Sequence, residues 1–145
     1  MKDCIFCNIK HEVVWLHSQV FSGEQQFYTT EGKSIVKNDL FIAVRDNFPV
    51  TQYHTLLIPK RHTAEIFDLS RKEVLALHEI LNYSKEELMK IDATITGFNV
   101  GFNNGAAAGQ TIEHAHVHLI PRRKDDIGED PTGGIRNVIP GKGKY

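Results

Sequence analysis

The chain reads as an α+β domain built on an antiparallel sheet. Strand-like segments outnumber helical ones, short turns join them, and one long helix is inserted. Residues 1–33 show no clean period and are expected to be irregular, with Gly23-Glu24-Gln25-Gln26 as a surface loop. Ile35-Val36 and Leu40–Val44 read as strands broken by a turn at Lys37-Asn38-Asp39. His54–Ile58 reads as a strand that stops at Pro59. Ser70-Arg71-Lys72-Glu73 is a capping-box pattern, with Ser70 as N-cap and Glu73 reaching back. Val74, Leu77, His78, Leu81, Leu88 and Ile91 follow at helical spacing, which predicts one helix over 71–91 with His78 on its apolar side. Ser84 and Glu87 repeat the capping pattern, but the period runs through them. Gly97–Gly101 reads as a strand, 103–109 as a small-residue loop, and His114–Ile120 as a strand ending at Pro121. The tail from Asp130 to Tyr145 has no regular period.

A length of 145 residues fits one domain, 1–145, with an N-terminal segment over 1–33 and a C-terminal tail over 125–145. A net charge of -1 argues against a nucleic-acid partner, which needs a basic face. A small anionic ligand needs only a few local donors. No stretch approaches the roughly 20 apolar residues of a membrane span, and the N-terminus lacks a signal-peptide core. The two cysteines sit in one CxxC rather than spread as a disulfide framework. The expectation is a reducing, cytoplasmic setting with no membrane partner.

Eight histidines are the unusual feature of the composition, and three of them carry chemistry. His114, His116 and His118 alternate with Ala115, Val117 and Leu119. Side chains two apart on a strand share a face, so three imidazoles line one face over an apolar back. Imidazole titrates near neutrality and serves as nucleophile, acid, base or ligand. From the triplet alone, a three-histidine metal site stands level with nucleophilic catalysis. The preceding loop, Asn103 to Thr111, favours catalysis on phosphate. It has almost no bulky side chains, so its backbone N–H groups can approach an anion. His11 and His17 have no partner pattern and read as loop residues.

The run NNGAAAGQTIEHAHVHLIPR, Asn103 to Arg122, resembles the signature of the histidine-triad nucleotide hydrolases. Phe41 to His62, ending in HTLLIPKRH, and the N-terminal CIFCNI resemble further blocks of that family. The resemblance implies an α+β protomer with a five-stranded antiparallel sheet, one long helix and a short helix. It implies that His116 attacks the α-phosphorus of a nucleotide and forms a covalent nucleotidyl-histidine, which water then cleaves. His118 and His54 are then expected at the phosphate oxygens. Asn103, Gln110 and Thr111 are expected to hold phosphate or leaving group, and Asp46 to accept from the ribose hydroxyls. Phe6 and Ile9 match positions that sandwich the base.

Cys4 and Cys7 alone are a weak zinc signal. In relatives that share this CxxC, the positions matching His62 and His114 complete a structural zinc site. Two thiolates with two imidazoles form a closed tetrahedral set. That assignment makes His114 a ligand rather than a proton shuttle, and no organic cofactor is expected. Transferase relatives carry Gln where this chain has His118, so the resemblance favours hydrolysis, of dinucleoside polyphosphates such as Ap4A. The alternatives are an adenosine phosphoramidase and a nucleotide-binding regulatory module with little turnover. A metalloenzyme using all three triad histidines ranks last. The basic cluster Arg122, Arg123 and Lys124 is a candidate holder of distal phosphates. The resemblance also implies a homodimer paired through the long helix and a strand.

Overall fold

The computed structural model describes residues 4–9, 26–30, 33–128 and 132–144. The chain forms α1 (Ile5–Ile9), β1 (Gln26–Thr30), β2 (Lys33–Lys37), β3 (Phe41–Arg45), β4 (Thr55–Pro59), α2 (Arg71–Ile91), β5 (Ile95–Gly101) and β6 (Val117–Arg123). One antiparallel sheet holds the strands in the order β1-β2-β3-β4-β6-β5. Among the described residues it has six strands rather than the expected five.

The difference lies in the segment over 1–33, which is not wholly irregular. Ile5–Ile9 is helical, and Gln26–Thr30 pairs with β2 from Gln26↔Lys37 to Thr30↔Lys33. The sequence QFYTT carries the aromatic and β-branched residues that strands favour. The polar run ending at Gln26 concealed its start. His11 and His17 lie outside the described residues.

Strands β3, β4, β6 and β5 carry the site. β3 and β4 pair with Ile42 opposite Ile58 and Val44 opposite Leu56. Every residue of β4 is buried because both sheet faces are covered there. On one face Ile42, Val44, Leu56 and Ile58 pack around Phe6 of α1. On the other, Phe41, Ala43, Leu57 and Val117 meet Ala76 and Ile80 of α2.

Helix α2 starts where the capping box places it. Ser70 Oγ accepts from the Glu73 N–H at 3.3 Å, and Glu73 Oε2 accepts from the Ser70 N–H at 2.8 Å. Arg61 grips the same carboxylate through Nε at 2.8 Å and Nη2 at 2.9 Å. Those bonds hold the Glu73 carboxyl down to about 2. The helix runs unbroken through Ser84, but its buried face is rotated from the expected one. Glu73, Ala76, Ile80, Ser84 and Leu88 face the sheet, while Val74 and Ile91 are 51% and 54% exposed. His78 is therefore not a core residue. It is exposed, with its ring nitrogen 3.0 Å from Asn82 Nδ2. Small Ala76 and Ser84 let the helix lie close to the sheet, which a reading keyed to large apolar residues overlooks.

β6 also differs. It begins at Val117 and continues through Pro121 to Arg123. His114 to His116 form its lead-in, where the Ala115 N–H donates to the Thr63 carbonyl at 2.7 Å. Pro121 fits because pairing with β4 ends at Thr55↔Leu119. On that side, no strand waits for the N–H that proline lacks. In the tail, Gly134–Val138 forms a 3-10 helix that packs against β5.

One backbone feature stands out in the turn into β4. The His54 N–H donates to the Thr51 carbonyl at 3.1 Å, and Tyr53, third residue of that turn, has φ 69°. This is the position glycine usually fills in type II turns. A side chain there costs about 1–2 kcal/mol.

Candidate active site and metal centre

The histidines of β6 and its lead-in divide between two centres, and each ring's hydrogen bonds decide which. His114 is fully buried, and its Nε2 lies 2.9 Å from the Pro59 carbonyl. A carbonyl only accepts, so Nε2 carries the proton and Nδ1 presents a lone pair. That Nδ1 lies 3.4 Å from Cys4 Sγ, 3.6 Å from Cys7 Sγ and 3.3 Å from His62 Nδ1. Cys7 Sγ is 3.3 Å from His62 Nδ1, and all four ligand atoms lie within 4.8 Å of one another.

Tetrahedral zinc with ordinary Zn–S and Zn–N bonds sets its ligands about 3.3–3.8 Å apart. The observed contacts have that spacing, and the donors are two sulfurs and two imidazole nitrogens. The group can hold a metal in a closed set with no place for substrate. The His114 Nε2–H bond to the Pro59 carbonyl is the kind of outer contact that orients a ligating imidazole. Such an ion joins α1, the end of β4 and the lead-in to β6.

His116 and His118 face elsewhere. His116 Nδ1 lies 2.8 Å from the His114 carbonyl, which makes Nδ1 the donor and leaves the lone pair on Nε2. The edge of Phe6 packs against the His116 ring, with centroids 5.1 Å apart and planes at 73°. His118 Nδ1 lies 2.9 Å from His54 Nε2. The Val50 N–H reaches His54 Nδ1 at 3.3 Å, so that nitrogen accepts and Nε2 donates to His118. The remaining proton of His118 then sits on Nε2, an atom that is buried and has no hydrogen-bond partner among the described residues. Burial lowers the His54 pKa against the opposing pull of Asp46. Burial, with His116 and His54 nearby, brings His118 down to about 4. Both rings are neutral at pH 7.

Asp46 stands at the edge of this centre. Its Oδ1 accepts from the Phe48 N–H at 2.8 Å, and Oδ2 is 3.5 Å from His54 Nδ1. The remaining expected residues are less directly engaged. Gln110 uses both ends on the loop itself, accepting from the Gly105 N–H at 2.7 Å and donating to the Ala64 and Ile112 carbonyls at 2.8 and 3.1 Å. The Ala108, Gly109 and Gln110 amides also bond within the loop. Asn103 and Thr111 are exposed on its two flanks. Phe6 is only 4% exposed, so little of its ring is open to a base, and Ile9 packs partly buried beside it. Arg122 is held by Asp126, at 2.8 and 2.6 Å, and by Asn99. Arg123 is held by Asp92. Sequence reasoning did not find the Pro59 carbonyl or the Val50 N–H, because a backbone group carries no residue signature.

The HIT domain model matches residues 29–125. An uncharacterised HIT-like protein of Borreliella burgdorferi is 32% identical over 87% of this chain and 80% of its own. The asymmetrical bis(5'-nucleosyl)-tetraphosphatase of Schizosaccharomyces pombe is 32% identical over 74% of this chain, which spans 54% of that relative. Among solved structures, a Zn-bound histidine triad family protein of Mycobacterium smegmatis superposes with a TM-score of 0.66 and 27% identity, covering 90% of this chain and 84% of its own. The chain belongs to the HIT family and is an enzyme of it.

Proposed function

We propose that the protein hydrolyses nucleotides at the α-phosphorus through a covalent nucleotidyl-His116, with dinucleoside polyphosphates of the Ap4A kind as its substrates. The observation that carries this reading is the buried, unpartnered His118 Nε2–H beside a nucleophile whose other nitrogen is tied to a carbonyl. A buried donor with no acceptor is costly, and a phosphate oxygen satisfies it. In the first step His116 Nε2 forms a bond to phosphorus while the bond to the leaving oxygen breaks. The leaving polyphosphate departs with the electron pair. The ring becomes cationic, and the His114 carbonyl holding Nδ1–H stabilises that charge. Water then attacks phosphorus and releases a proton to solvent, the N–P bond breaks with its electron pair returning to Nε2, and neutral His116, still protonated on Nδ1, is restored. His54 holds His118 in the tautomer that donates. Asp46 is the acceptor for ribose hydroxyls, with Asn103 and Thr111 at the substrate, Gln110 bracing their loop, and Phe6 and Ile9 backing the His116 ring. The name of the fission-yeast relative, a tetraphosphatase, supports the substrate class.

A specific observation favours the second reading, an adenosine phosphoramidase. The acidic partners of Arg122 and Arg123 leave them poorly placed to serve distal phosphates. Zinc in the Cys4–Cys7–His62–His114 set is part of the proposal, as a structural ion. It fits a reducing cytoplasm, where both thiols stay available to metal. We also propose a homodimer through α2 and the outer strand β5, where Val74, Leu75, Val100 and Phe102 are exposed. No helix among the described residues is long and apolar enough to cross a membrane.

The test is turnover of diadenosine tetraphosphate and adenosine 5'-phosphoramidate side by side in ¹⁸O-water, with quenched samples weighed intact. Label in the released AMP and a nucleotidyl mass on the protein support the reading, and the faster substrate names the branch. Label confined to ATP places attack at another phosphorus and sinks it.

A further inference from the structure

We propose that Tyr53 is a positioning residue for the His54–His118 pair, held in its left-handed conformation by the guanidinium groups of Arg45 and Arg123. Its effect on turnover rests on the function proposed above. A bulky residue with φ 69° persists only where its surroundings over-determine it. Here they do. The Arg45 Cζ lies 5.2 Å from the Tyr53 ring centroid and the Arg123 Cζ 5.9 Å, so both cations engage the ring. The Tyr53 carbonyl accepts from Arg45 Nη1 at 3.4 Å and from Thr55 Oγ1 at 2.8 Å.

Arg123 is itself fixed. It donates to Asp92, the C-cap of α2, at 2.6 and 3.0 Å, and reaches the Gln52 carbonyl at 3.5 Å. Thr51 Oγ1 donates to the Pro121 carbonyl at 2.8 Å. The turn from Thr51 to His54 is therefore tied to β3, β6 and α2 at once.

The Tyr53 ring packs with Leu88, Ile95 and Leu119, on the helix-covered face of the sheet. Its route to the chemistry is through the backbone. His54 follows directly, and its Nε2 reaches His118 across 2.9 Å on the opposite face. Glycine would satisfy the dihedral without strain, but it would leave the turn free to sample other basins. A ring held by two cations selects one basin, and with it one direction for the His54 imidazole.

The test is imidazole ¹⁵N NMR on the full chain, with kcat and KM, for wild type, Tyr53→Phe, Tyr53→Ala and Tyr53→Gly. Tyr53→Phe is expected to keep the wild-type His54 and His118 signals and rates. Tyr53→Ala and Tyr53→Gly are expected to move both signals and to lower kcat about tenfold to a hundredfold, the scale of a small misplacement. KM should change by less than about threefold, since Tyr53 does not touch substrate. Tyr53→Gly loses the backbone strain, so it keeps the test open if the alanine variant unfolds. Wild-type imidazole signals in Tyr53→Gly overturn the proposal. A wild type that turns over no nucleotide overturns the proposed function instead, while the NMR comparison still decides the role of Tyr53.

Discussion

His114 and His116 stand two residues apart and serve different centres. The first commits Nε2 to the Pro59 carbonyl and turns Nδ1 toward two sulfurs. The second commits Nδ1 to the His114 carbonyl and keeps its lone pair on Nε2. Both imidazoles are buried, and both have one nitrogen on a backbone oxygen. What separates them is which nitrogen that is, and what faces the other one. The lesson is that a histidine's role is set by its less visible bond.

The sharpest way to break this comparison is His116→Ala. Nucleotide turnover should fall by about a thousandfold or more, as loss of a nucleophile does, while bound metal stays near wild type. A large loss of metal in that variant would merge the two centres into one. Cys4→Ser reverses the pattern. Metal content should drop, and the melting temperature should fall by on the order of 10 °C, as expected when a tightly bound ligand is lost. Calorimetry with and without chelator checks it, and an unchanged melting curve refutes a structural ion. Next in size is His54→Leu, which removes the donor to His118 Nδ1. Rapid-quench rates should show nucleotidyl transfer to His116 slowed roughly tenfold to a hundredfold, with metal content unchanged.

The smallest effect concerns pH. The folded-state pKa of His118 is lowered to about 4, with burial the leading cause, so the folded form stays neutral while the unfolded chain takes a proton below about pH 6.5. Stability that depends on neutral His118 is complete above that pH and declines as pH falls toward about 4. Urea unfolding of wild type and His118→Gln at pH 7, 6 and 5 reads this directly. The difference should move against wild type as the solution becomes acidic. A difference that stays flat removes burial as the cause.

Much of this was legible in the sequence because it rests on side-chain pattern. The α2 capping box at Ser70 and Glu73 is read from two residues and found in place. The HIT relationship follows from the spaced blocks around His54 and His116. The cluster of Cys4, Cys7, His62 and His114 came only through resemblance, because its members span 110 positions. Other features depend on groups that sequence does not display. The rotated face of α2 follows from small residues that allow close approach, so Val74 misled. Strand β1 was masked by its polar entry. The tautomers of His114 and His116 are fixed by the carbonyls of Pro59 and His114, and that of His118, through His54, by the Val50 amide. Tyr53 has no motif at all, since its importance lies in a dihedral angle.

The spread of Cys4, Cys7, His62 and His114 along the chain sets an order of synthesis. Cys4 and Cys7 leave the ribosome before His62, and His114 emerges last of the four. An ion caught by the thiolates could not complete its coordination until residue 114 had been made. Until then α1 has no partner at the lead-in to β6, and the exposed thiols meet whatever metal or oxidant the nascent chain encounters. The cluster thus makes Cys4 wait for a residue 110 positions later before either is fixed.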